Sequence, residues 1–518
     1  MVTLRTDVLV IGGGATGAGV AWDAALRGFD VVLAERKDLA EGTSGRFHGL
    51  VHSGGRYAVK DPRAAEECVA ENRVLRNIAA DSLEDTGGFF VTTPWDDPVY
   101  ADRFAEGCLA TGVQCEEISP AQALREEPRL NPDISRVFRV PDANVDVWKL
   151  VWALARGAAT RGAQVLPYHA VVAIDREGDE VTGARLRDAR TGEETVVRAR
   201  ATVNAAGAWA GQLAALAGID EVRILPGRGI MIAMNHRLVN TVVNRCQMPT
   251  DGDIIVPVRT VCVIGTTDQH TDDPDDHTVL ESEVDQMLDD GEKLVPGFRR
   301  ARALRVWTGV RPLFEDVKAD GTLTRDVTRS HTLLDHSHRD GVGRFLTITG
   351  GKLTTFRLMA EHTVDAVCRA LSEDRPCTTT AEPLPGSEER RHYNLGERLG
   401  RKEARLADEQ LICDCEMVSR SALEDGIRRR ATTNLDDIRR LLRLGMGPCQ
   451  GGFCMYRATG VLHGLDGMTS QQANGALLDF LQERWKGIRP VLYGDQLRQA
   501  RLDDWIFQGT LDVGHLST

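Results

Sequence analysis

The chain has 518 residues, of which 42% are hydrophobic, and this length predicts two to four globular domains with buried cores. Its 63 lysines and arginines against 76 aspartates and glutamates give a formal net charge of -13, which argues against nucleic acid as a partner. An anionic ligand must therefore meet a local basic cluster. Because the N-terminus leads directly into a strand and the chain lacks long apolar runs, we expect a cytoplasmic protein without its own membrane span.

Residues 6–36 are typical of a strand, a glycine-rich turn, a helix and a second strand. The turn fits GxGxxG through Gly12, Gly14 and Gly17, and Glu35 follows at roughly the 20-residue spacing of dinucleotide-binding folds. Such glycines bring the backbone close to a pyrophosphate at a helix N-terminus, and the carboxylate holds ribose hydroxyls. This segment therefore predicts a dinucleotide site.

The loop at residues 41–59 follows the second strand and is rich in glycine. Ligands of open α/β sheets bind at loops that follow the carboxyl ends of strands, so this segment is a candidate ligand loop; the alternative is a solvated connection. Its cationic, titratable or phenolic side chains are Arg46, His48, His52, Arg56 and Tyr57.

Three further cations come from distant segments. Arg311 lies in GVRPLF, Arg325 in LTRDV, and Lys352 follows Gly350 and Gly351 at the start of a predicted helix. Cations that converge hold a phosphate or a carboxylate, and arginine does so with paired hydrogen bonds. The spacing leaves both anions possible and does not show that the three meet.

Between these segments, strands at residues 228–267 indicate an antiparallel sheet. We therefore predict an α/β fold in which a Rossmann-like nucleotide-binding domain is interrupted by an α+β antiparallel-sheet substrate cap and followed by a small helical domain. The predicted boundaries are about 1–70, 145–210 and 305–372 for the nucleotide part, about 71–144 and 211–304 for the cap, 373–410 for a connector, 411–465 for a metal-binding domain and 466–518 for a helical tail.

Four of the eleven cysteines cluster near the C-terminus, as a CxC pair and a CxxxxC pair: Cys413, Cys415, Cys449 and Cys454. Two predicted helices separate the pairs, and the second begins after Thr433 or Asn434 and stops at Gly445. Four thiolates on glycine-rich turns suit a [2Fe-2S] cluster or structural zinc, and unliganded buried thiols are a third possibility. The spacing favours iron and sulfur, since zinc sites usually use CxxC. A centre that carries single electrons favours flavin over nicotinamide as the bound dinucleotide.

Several motifs together resemble one enzyme family. GGGATGAG, EGTSGRFHGLVHSGGRY, NAAGAWA, IGTTD, TGVRPL and TITGGKLTTFRLMAE are similar to motifs of FAD-dependent sn-glycerol-3-phosphate dehydrogenases, within the D-amino-acid-oxidase-like flavoprotein superfamily. The cysteine pairs resemble the bacterioferritin-associated-ferredoxin-like [2Fe-2S] module. NHRLVNTVVNRC and ERWKGIRPV are similar to segments of the anaerobic, multi-subunit members. The resemblance covers nearly the whole chain.

This resemblance implies FAD and a [2Fe-2S] cluster as cofactors. It implies oxidation of sn-glycerol 3-phosphate to dihydroxyacetone phosphate by hydride transfer to flavin N5. Electrons would leave through the cluster to an electron-accepting partner subunit, which passes them to quinone, with membrane contact through that partner.

The resemblance also implies residue roles. Substrate would be bound by Arg56, Tyr57, Arg311, Arg325 and Lys352. FAD would be bound by Gly12, Gly14, Gly17, Glu35, Thr43, Ser44, Val171, Gly207, Gly350, Gly351 and Lys352. The cluster would be held by Cys413, Cys415, Cys449 and Cys454. Arg311 and Lys352 would act in catalysis, with His52 or His236 as the base.

Three alternatives stay open at this point. The same superfamily oxidises amino acids, 2-hydroxy acids and polyols, and the cations would also hold the carboxylate of an amino acid or a hydroxy acid. A flavin and iron-sulfur sensor or electron-transfer scaffold would carry both cofactors without dehydrogenase activity. A zinc-binding interaction module would use the same cysteines.

Overall fold

The computed structural model describes residues 2–314, 330–404, 410–430, 432–465 and 468–517. Arg325, which the sequence predicts to bind substrate, lies outside these residues. No helix within the described ranges is long and apolar enough to cross a membrane.

Strands are numbered along the chain. They are β1 (Val2–Ile11), β2 (Val31–Ala34), β3 (Leu50–Val51), β4 (Leu83–Glu84), β5 (Gly88–Thr92), β6 (Glu116–Ile118), β7 (Arg136–Val140), β8 (Ala143–Val145), β9 (Gln164–Leu166), β10 (His169–Glu177), β11 (Glu180–Asp188), β12 (Glu194–Asn204), β13 (Ile224–Met234), β14 (Val242–Arg245), β15 (Ile254–Val258), β16 (Val261–Gly265), β17 (Gln269–His270), β18 (Ala303–Phe314), β19 (His331–Asp335), β20 (Phe345–Gly350), β21 (Leu411–Cys413) and β22 (Val418–Ser419).

The α-helices are numbered in the same way. They are α1 (Ala15–Leu26), α2 (Pro62–Ile78), α3 (Tyr100–Thr111), α4 (Pro120–Glu126), α5 (Val147–Thr160), α6 (Ala210–Leu216), α7 (Glu281–Leu294), α8 (His336–Arg339), α9 (Phe356–Leu371), α10 (Leu395–Glu403), α11 (Arg420–Arg430), α12 (Leu435–Leu442), α13 (Met455–Leu465), α14 (Ser470–Trp485) and α15 (Gly494–Asp504).

The first sheet is built around β1, which pairs in parallel with β12 on one side and with β2 on the other. Strand β9 continues the sheet beyond β2, and β20 pairs in parallel with β12. Helices α1, α5 and α9 contribute to a buried core on one face, while α6 packs on the other. Burial on both faces explains the uninterrupted apolar run at the end of β1. The carboxyl ends of β1 and β2 therefore open toward one edge of the sheet, as the sequence predicts.

The second sheet is mostly antiparallel and forms the cap, in the order β17-β13-β16-β15-β14-β5-β7-β6, with β18 paired to β13. The register of β13 and β18 runs from Ile224 opposite Phe314 to Met234 opposite Ala303. Residues 305–314 therefore belong to the cap sheet, although the sequence analysis assigned them to the nucleotide part. The difference arises because these residues hydrogen-bond to β13, which lies 70 or more residues earlier in the chain.

The cysteine-bearing region forms a third body. The hairpin β21-β22 leads into α11 and α12, and the second of these helices is capped by the Asn434 side chain, which accepts a hydrogen bond from the Asp436 amide at 2.8 Å. Helix α12 ends at Leu442, where Arg443 adopts φ 61°, and so stops before the predicted Gly445. Residues of the C-terminal tail, including Phe480 and Phe507, pack into the same core as α11 to α13.

Candidate active site and cysteine centre

A cavity of about 490 Å³ opens where β1 and β2 end. The first sheet and the loops that follow these strands supply its walls. It is lined by ten of the eleven residues predicted to bind FAD: Gly12, Gly14, Glu35, Thr43, Ser44, Val171, Gly207, Gly350, Gly351 and Lys352. The remaining one, Gly17, lies behind the turn within α1.

The glycine turn owes its shape to two close backbone approaches. Gly12 has φ 113°, in the region that favours glycine, and a side chain there would meet the carbonyl of Ala205. A methyl group on Gly17 would overlap the carbonyl oxygen of Gly12. The glycine loop therefore packs closely against the start of α1. This packing leaves the N-terminus of α1 facing the cavity.

Replacing Gly17 by alanine is expected to lower FAD affinity about 100-fold, or about 3 kcal/mol, because the added methyl displaces the turn that faces the pyrophosphate. The check is titration of the apoprotein with FAD, followed by flavin fluorescence. Gly460→Ala is the matched control: Gly460 also lies within a helix, and a methyl there meets no atom within 4 Å. Equal affinities of the two variants would refute this role of Gly17.

Two groups at the cavity are already arranged for a dinucleotide. The Glu35 carboxylate accepts hydrogen bonds from the amides of Gly13 at 2.7 Å and Lys37 at 2.9 Å, and burial nevertheless raises its pKa. The Ser44 hydroxyl accepts a hydrogen bond from the Ala15 amide at 3.0 Å, at the N-terminus of α1. A carboxylate fixed for hydroxyls and a helix N-terminus open to an anion suit ribose and pyrophosphate.

A second cavity, of about 430 Å³, adjoins the first. Six residues line both: Thr43, Phe47, Pro312, Gly351, Lys352 and Leu353. Four predicted substrate residues line the second cavity together with the candidate base His52: Arg56, Tyr57, Arg311 and Lys352. The fold thus brings together side chains from the 41–59 loop, from β18 and from the turn before α9.

Each of the three predicted cations at this cavity, Arg56, Arg311 and Lys352, lies beside an acid that orients it. Arg311 donates to the Asp268 carboxylate at 2.8 Å, to the Thr267 carbonyl at 2.9 Å and to the Thr266 hydroxyl.

The other two cations are held in the same way. Arg56 pairs with Asp253 at 2.9 Å, and Lys352 lies 3.4 Å from the Glu67 carboxylate and 5.3 Å from the centre of the Tyr57 ring. Cations that are fixed in this way would bind a doubly charged anion in one orientation. The orienting residues Glu67, Asp253 and Asp268 were missed by the sequence analysis, and the IGTTD motif was the signal for the last of them.

Two histidines lie near the Tyr57 ring. The ring centres of His52 and Tyr57 are 5.2 Å apart, and those of His48 and His52 are 6.2 Å apart. His48 was noted as part of the loop but was not among the predicted site residues, although it lines the cavity. Burial lowers its pKa to about 3, with further lowering by Arg56 and Arg311, so His48 is neutral at physiological pH. An imidazole with so low a pKa is a weak proton acceptor, so His52 is kept as the candidate base of the two.

The depressed pKa of His48 predicts a pH dependence of stability. Between its ordinary pKa near 6.5 and about 3, the unfolded chain binds a proton that the folded chain does not, so stability falls as the pH is lowered. Replacing His48 by glutamine should therefore reduce the loss of unfolding free energy between pH 7 and pH 5 by about 2 kcal/mol. Melting temperatures at the two pH values test this, with the exposed His338→Gln as control. The same pH dependence in both variants would contradict the prediction.

His236 does not join this group. Gly227 of β13 lies opposite Arg311, whereas His236 follows the far end of the same strand, about 30 Å away at 3.3 Å per residue. Its side chain is exposed, contacts Asn235 and lines a third cavity together with the four cysteines. This placement does not fit the prediction that His236 faces the substrate. The motif MNH alone does not show how far from the substrate cavity the strand places this histidine.

The four predicted cysteines come together at the third cavity, of about 990 Å³. Cys413 ends β21, Cys415 lies in the following turn, Cys449 lies in the glycine-rich loop and Cys454 immediately precedes α13. The helical hairpin of α11 and α12 returns the second pair to the first.

Backbone amides surround the sulfur atoms. The pKa of Cys449 is lowered, chiefly by hydrogen bonding with Cys415 and Cys454 and further by backbone hydrogen bonds from Gly451 and Phe453. The pKa of Cys413 is also lowered, chiefly by hydrogen bonding with Cys454, and backbone groups of Gly445 and Glu416 contribute. The same sulfur–sulfur hydrogen bonds raise the pKa of Cys415 and Cys454, so the amide donors stabilise thiolates at Cys413 and Cys449. The thiolate is the form that binds metal.

A group of three acids elsewhere, Asp38, Glu41 and Asp437, places one ligand atom from each residue within 4.8 Å of the others. The three acids are not an open metal site, because Arg440 pairs with each of them.

That arginine also joins the cysteine domain to the nucleotide domain. Arg440 of α12 pairs with Asp38, in the loop after β2, at 2.8 Å, and Arg430 pairs with the same carboxylate. The Tyr168 hydroxyl donates to Asp437 at 2.5 Å. These buried, mutually satisfied charges fix how the domain docks.

Comparison with known proteins agrees with this geometry. The profile of the FAD dependent oxidoreductase family matches residues 7–365, and that of the BFD-like [2Fe-2S] binding domain matches residues 411–463. Fold and site therefore define a flavin-dependent oxidoreductase that carries an iron-sulfur domain. The predicted fold class and both predicted cofactors are confirmed.

Full-length relatives narrow the class. The chain is 43% identical to the A subunit of anaerobic glycerol-3-phosphate dehydrogenase from Escherichia coli (strain K12), over 97% of this chain and 96% of that protein. It is 42% identical to the A1 subunit of the Haloferax volcanii enzyme, over 98% of this chain and 90% of that protein. The chain belongs to the family of anaerobic glycerol-3-phosphate dehydrogenase A subunits. In fold it is similar to L-alpha-glycerophosphate oxidase from Mycoplasma pneumoniae, solved with FAD bound, with a TM-score of 0.60, 19% identity and coverage of 74% of this chain and 99% of that one.

Proposed function

We propose that this chain oxidises sn-glycerol 3-phosphate to dihydroxyacetone phosphate and passes the electrons, through the cysteine centre, to a partner subunit, from which they reach quinone. The observation that carries the proposal is the position of the two sites on one cap strand. Thr266, at one end of β16, contacts Arg311, and Thr260, at the other end, lies beside Gly447 and Cys415. The strand between them has five residues, or about 17 Å. The chain thus holds a substrate cavity and an electron exit at the two ends of one short element.

The cations and the histidine would contact different parts of the substrate. Arg311, fixed by Asp268, and Arg56, fixed by Asp253, would bind the phosphate, because paired N–H donors match phosphate oxygens. Lys352 lies at the junction of the two cavities, where its charge would stabilise an oxygen that becomes negative during oxidation. His52 would accept the proton of the substrate hydroxyl.

FAD, when bound, would supply the hydride acceptor, and the [2Fe-2S] cluster would supply a carrier of single electrons. Glu35, Ser44 and the glycine turn would hold the dinucleotide, and the four cysteines the cluster. The relatives at 42–43% identity are named as single subunits of a larger enzyme, which supports the presence of partner subunits. We assign the quinone site to one of these partners. Contact with the membrane would then be peripheral, through that partner.

An anaerobic spectral titration tests the proposal. The purified protein should show flavin and iron-sulfur absorbance, and sn-glycerol 3-phosphate should bleach both. Lactate, glutamate and proline should bleach neither, since these anions do not present a phosphate to the arginines. Bleaching by one of the carboxylates instead would assign the site to a hydroxy-acid or amino-acid dehydrogenase. No bleaching by any of the four would favour a sensor or electron-transfer scaffold.

A further inference from the structure

The cavity over the four cysteines opens to solvent and has walls from two parts of the chain. The cap contributes Arg129, Arg300 and Arg302, and the C-terminal helix α15 contributes Arg498 and Leu502. Phe453, within the loop that carries Cys449 and Cys454, forms part of the rim. A group that enters this cavity therefore comes against the cysteine centre itself.

The charge of this cavity differs from that of the chain as a whole. Its lining has four arginines and two aspartates, Asp414 and Asp495, whereas the chain carries a net charge of -13. A [2Fe-2S] cluster on four thiolates adds about two negative charges, which the arginines offset. An acidic molecule is thus repelled by the remaining surface and finds a neutralised entrance here.

Three of these arginines form no ion pair within the described part of the chain, and two of the three are exposed. Arg129 and Arg300 are exposed, and no carboxylate among the described residues pairs with either. Arg498, in contrast, pairs with Asp495 at 3.1 Å. Apolar contact is available beside them, because Phe453 and Leu502 are 40% and 46% exposed. Exposed apolar side chains with a charged surround are typical of a protein interface.

From these observations we infer that the cavity is the docking site for the electron-accepting protein, which presents acidic side chains to Arg129 and Arg300 and an apolar side chain to Phe453 and Leu502. The inference rests on the proposed function and specifies its partner. Each transfer moves one electron from the cysteine centre to the oxidised acceptor, and no bond forms or breaks.

Binding and electron transfer to two probe proteins test the inference. The probes are the acidic soluble domain of cytochrome b5 and the basic cytochrome c, each in its ferric form. The holoenzyme should bind the acidic probe, with an affinity that falls as salt is added, and reduce it after addition of sn-glycerol 3-phosphate. The double variant Arg129→Glu, Arg300→Glu should lower both the affinity and the transfer rate at low salt at least about tenfold. Arg5→Glu, Arg223→Glu is the matched control, since both arginines are exposed and lie outside the cavity lining.

Flavin and cluster bleaching by sn-glycerol 3-phosphate is recorded in every variant before the acceptor is added. Absence of bleaching in the wild type would remove the proposed function. With bleaching intact, an unchanged affinity in the double variant, no binding of the acidic probe, or preferred binding of the basic one would each overturn the docking inference. Light scattering of the chain alone identifies a second copy as the occupant if a dimer is present and is lost in the double variant, and that result would overturn it as well.

Discussion

Replacing Arg311 by alanine is expected to lower kcat/KM for sn-glycerol 3-phosphate about 1,000-fold, or about 4 kcal/mol. Arg311 reaches the substrate cavity from β18, and Asp268 and Thr267 hold its guanidinium in place. A phosphate would therefore meet a cation whose position is already set, and each charge-assisted hydrogen bond contributes about 1.5–3 kcal/mol. Since this group binds substrate and transition state alike, most of the loss should appear in KM.

The measurement is the anaerobic rate of flavin bleaching at varied substrate concentration, normalised to bound flavin. Arg311→Ala also removes the ion pair with the Asp268 carboxylate, and this loss would by itself disturb the site. The double variant Arg311→Ala, Asp268→Asn separates the two effects. If phosphate binding is the cause, the double variant stays as slow as the single one, and added guanidinium ion restores part of the rate. Recovery in the double variant without guanidinium, or an unchanged kcat/KM in the single one, would exclude Arg311 from phosphate binding.

The dinucleotide and cysteine sites could be predicted from sequence because their determinants are local. Gly12, Gly14 and Gly17 lie within one turn, and Glu35 ends the next strand of the same unit. In a parallel strand-helix-strand unit, the fold between these positions is fixed by a short connection of known hand. The two cysteine pairs are likewise joined by one helical hairpin.

The substrate cavity could not be predicted from local sequence patterns alone. Arg56, Arg311 and Lys352 meet because β18 pairs with β13 and because the turn before α9 returns to the 41–59 loop. Long-range pairing of this kind follows from the packing of whole sheets, so resemblance to a family supplied what spacing did not. The same limit explains why His236 was assigned to the substrate site, since the two ends of β13 lie at different sites. It also explains why the orienting acids were not predicted.

Replacing Cys449 by serine should separate the two halves of the reaction. Its thiolate is stabilised by amides of Gly451 and Phe453, and it lies between Cys415 and Cys454, so its loss removes a ligand from the middle of the set. A hydroxyl at this position stays protonated and is a poor ligand for iron. The variant should lose its iron and acid-labile sulfide, whereas FAD content and flavin bleaching by sn-glycerol 3-phosphate should stay within about twofold, because the two cavities lie at opposite ends of β16.

Steady-state reduction of a one-electron acceptor should fall at least about 100-fold in this variant, since the electrons leave through the cysteine centre. Cys368→Ser is the control, because Cys368 is also a free cysteine but lies in α9, away from the centre. Comparison of the two variants separates the effect of losing a thiol from the effect of losing the electron-transfer centre. Retention of two iron atoms by Cys449→Ser would exclude Cys449 as a ligand. Loss of iron without loss of acceptor reduction would show that electrons leave directly from the flavin, and the iron-sulfur domain would then have a structural role.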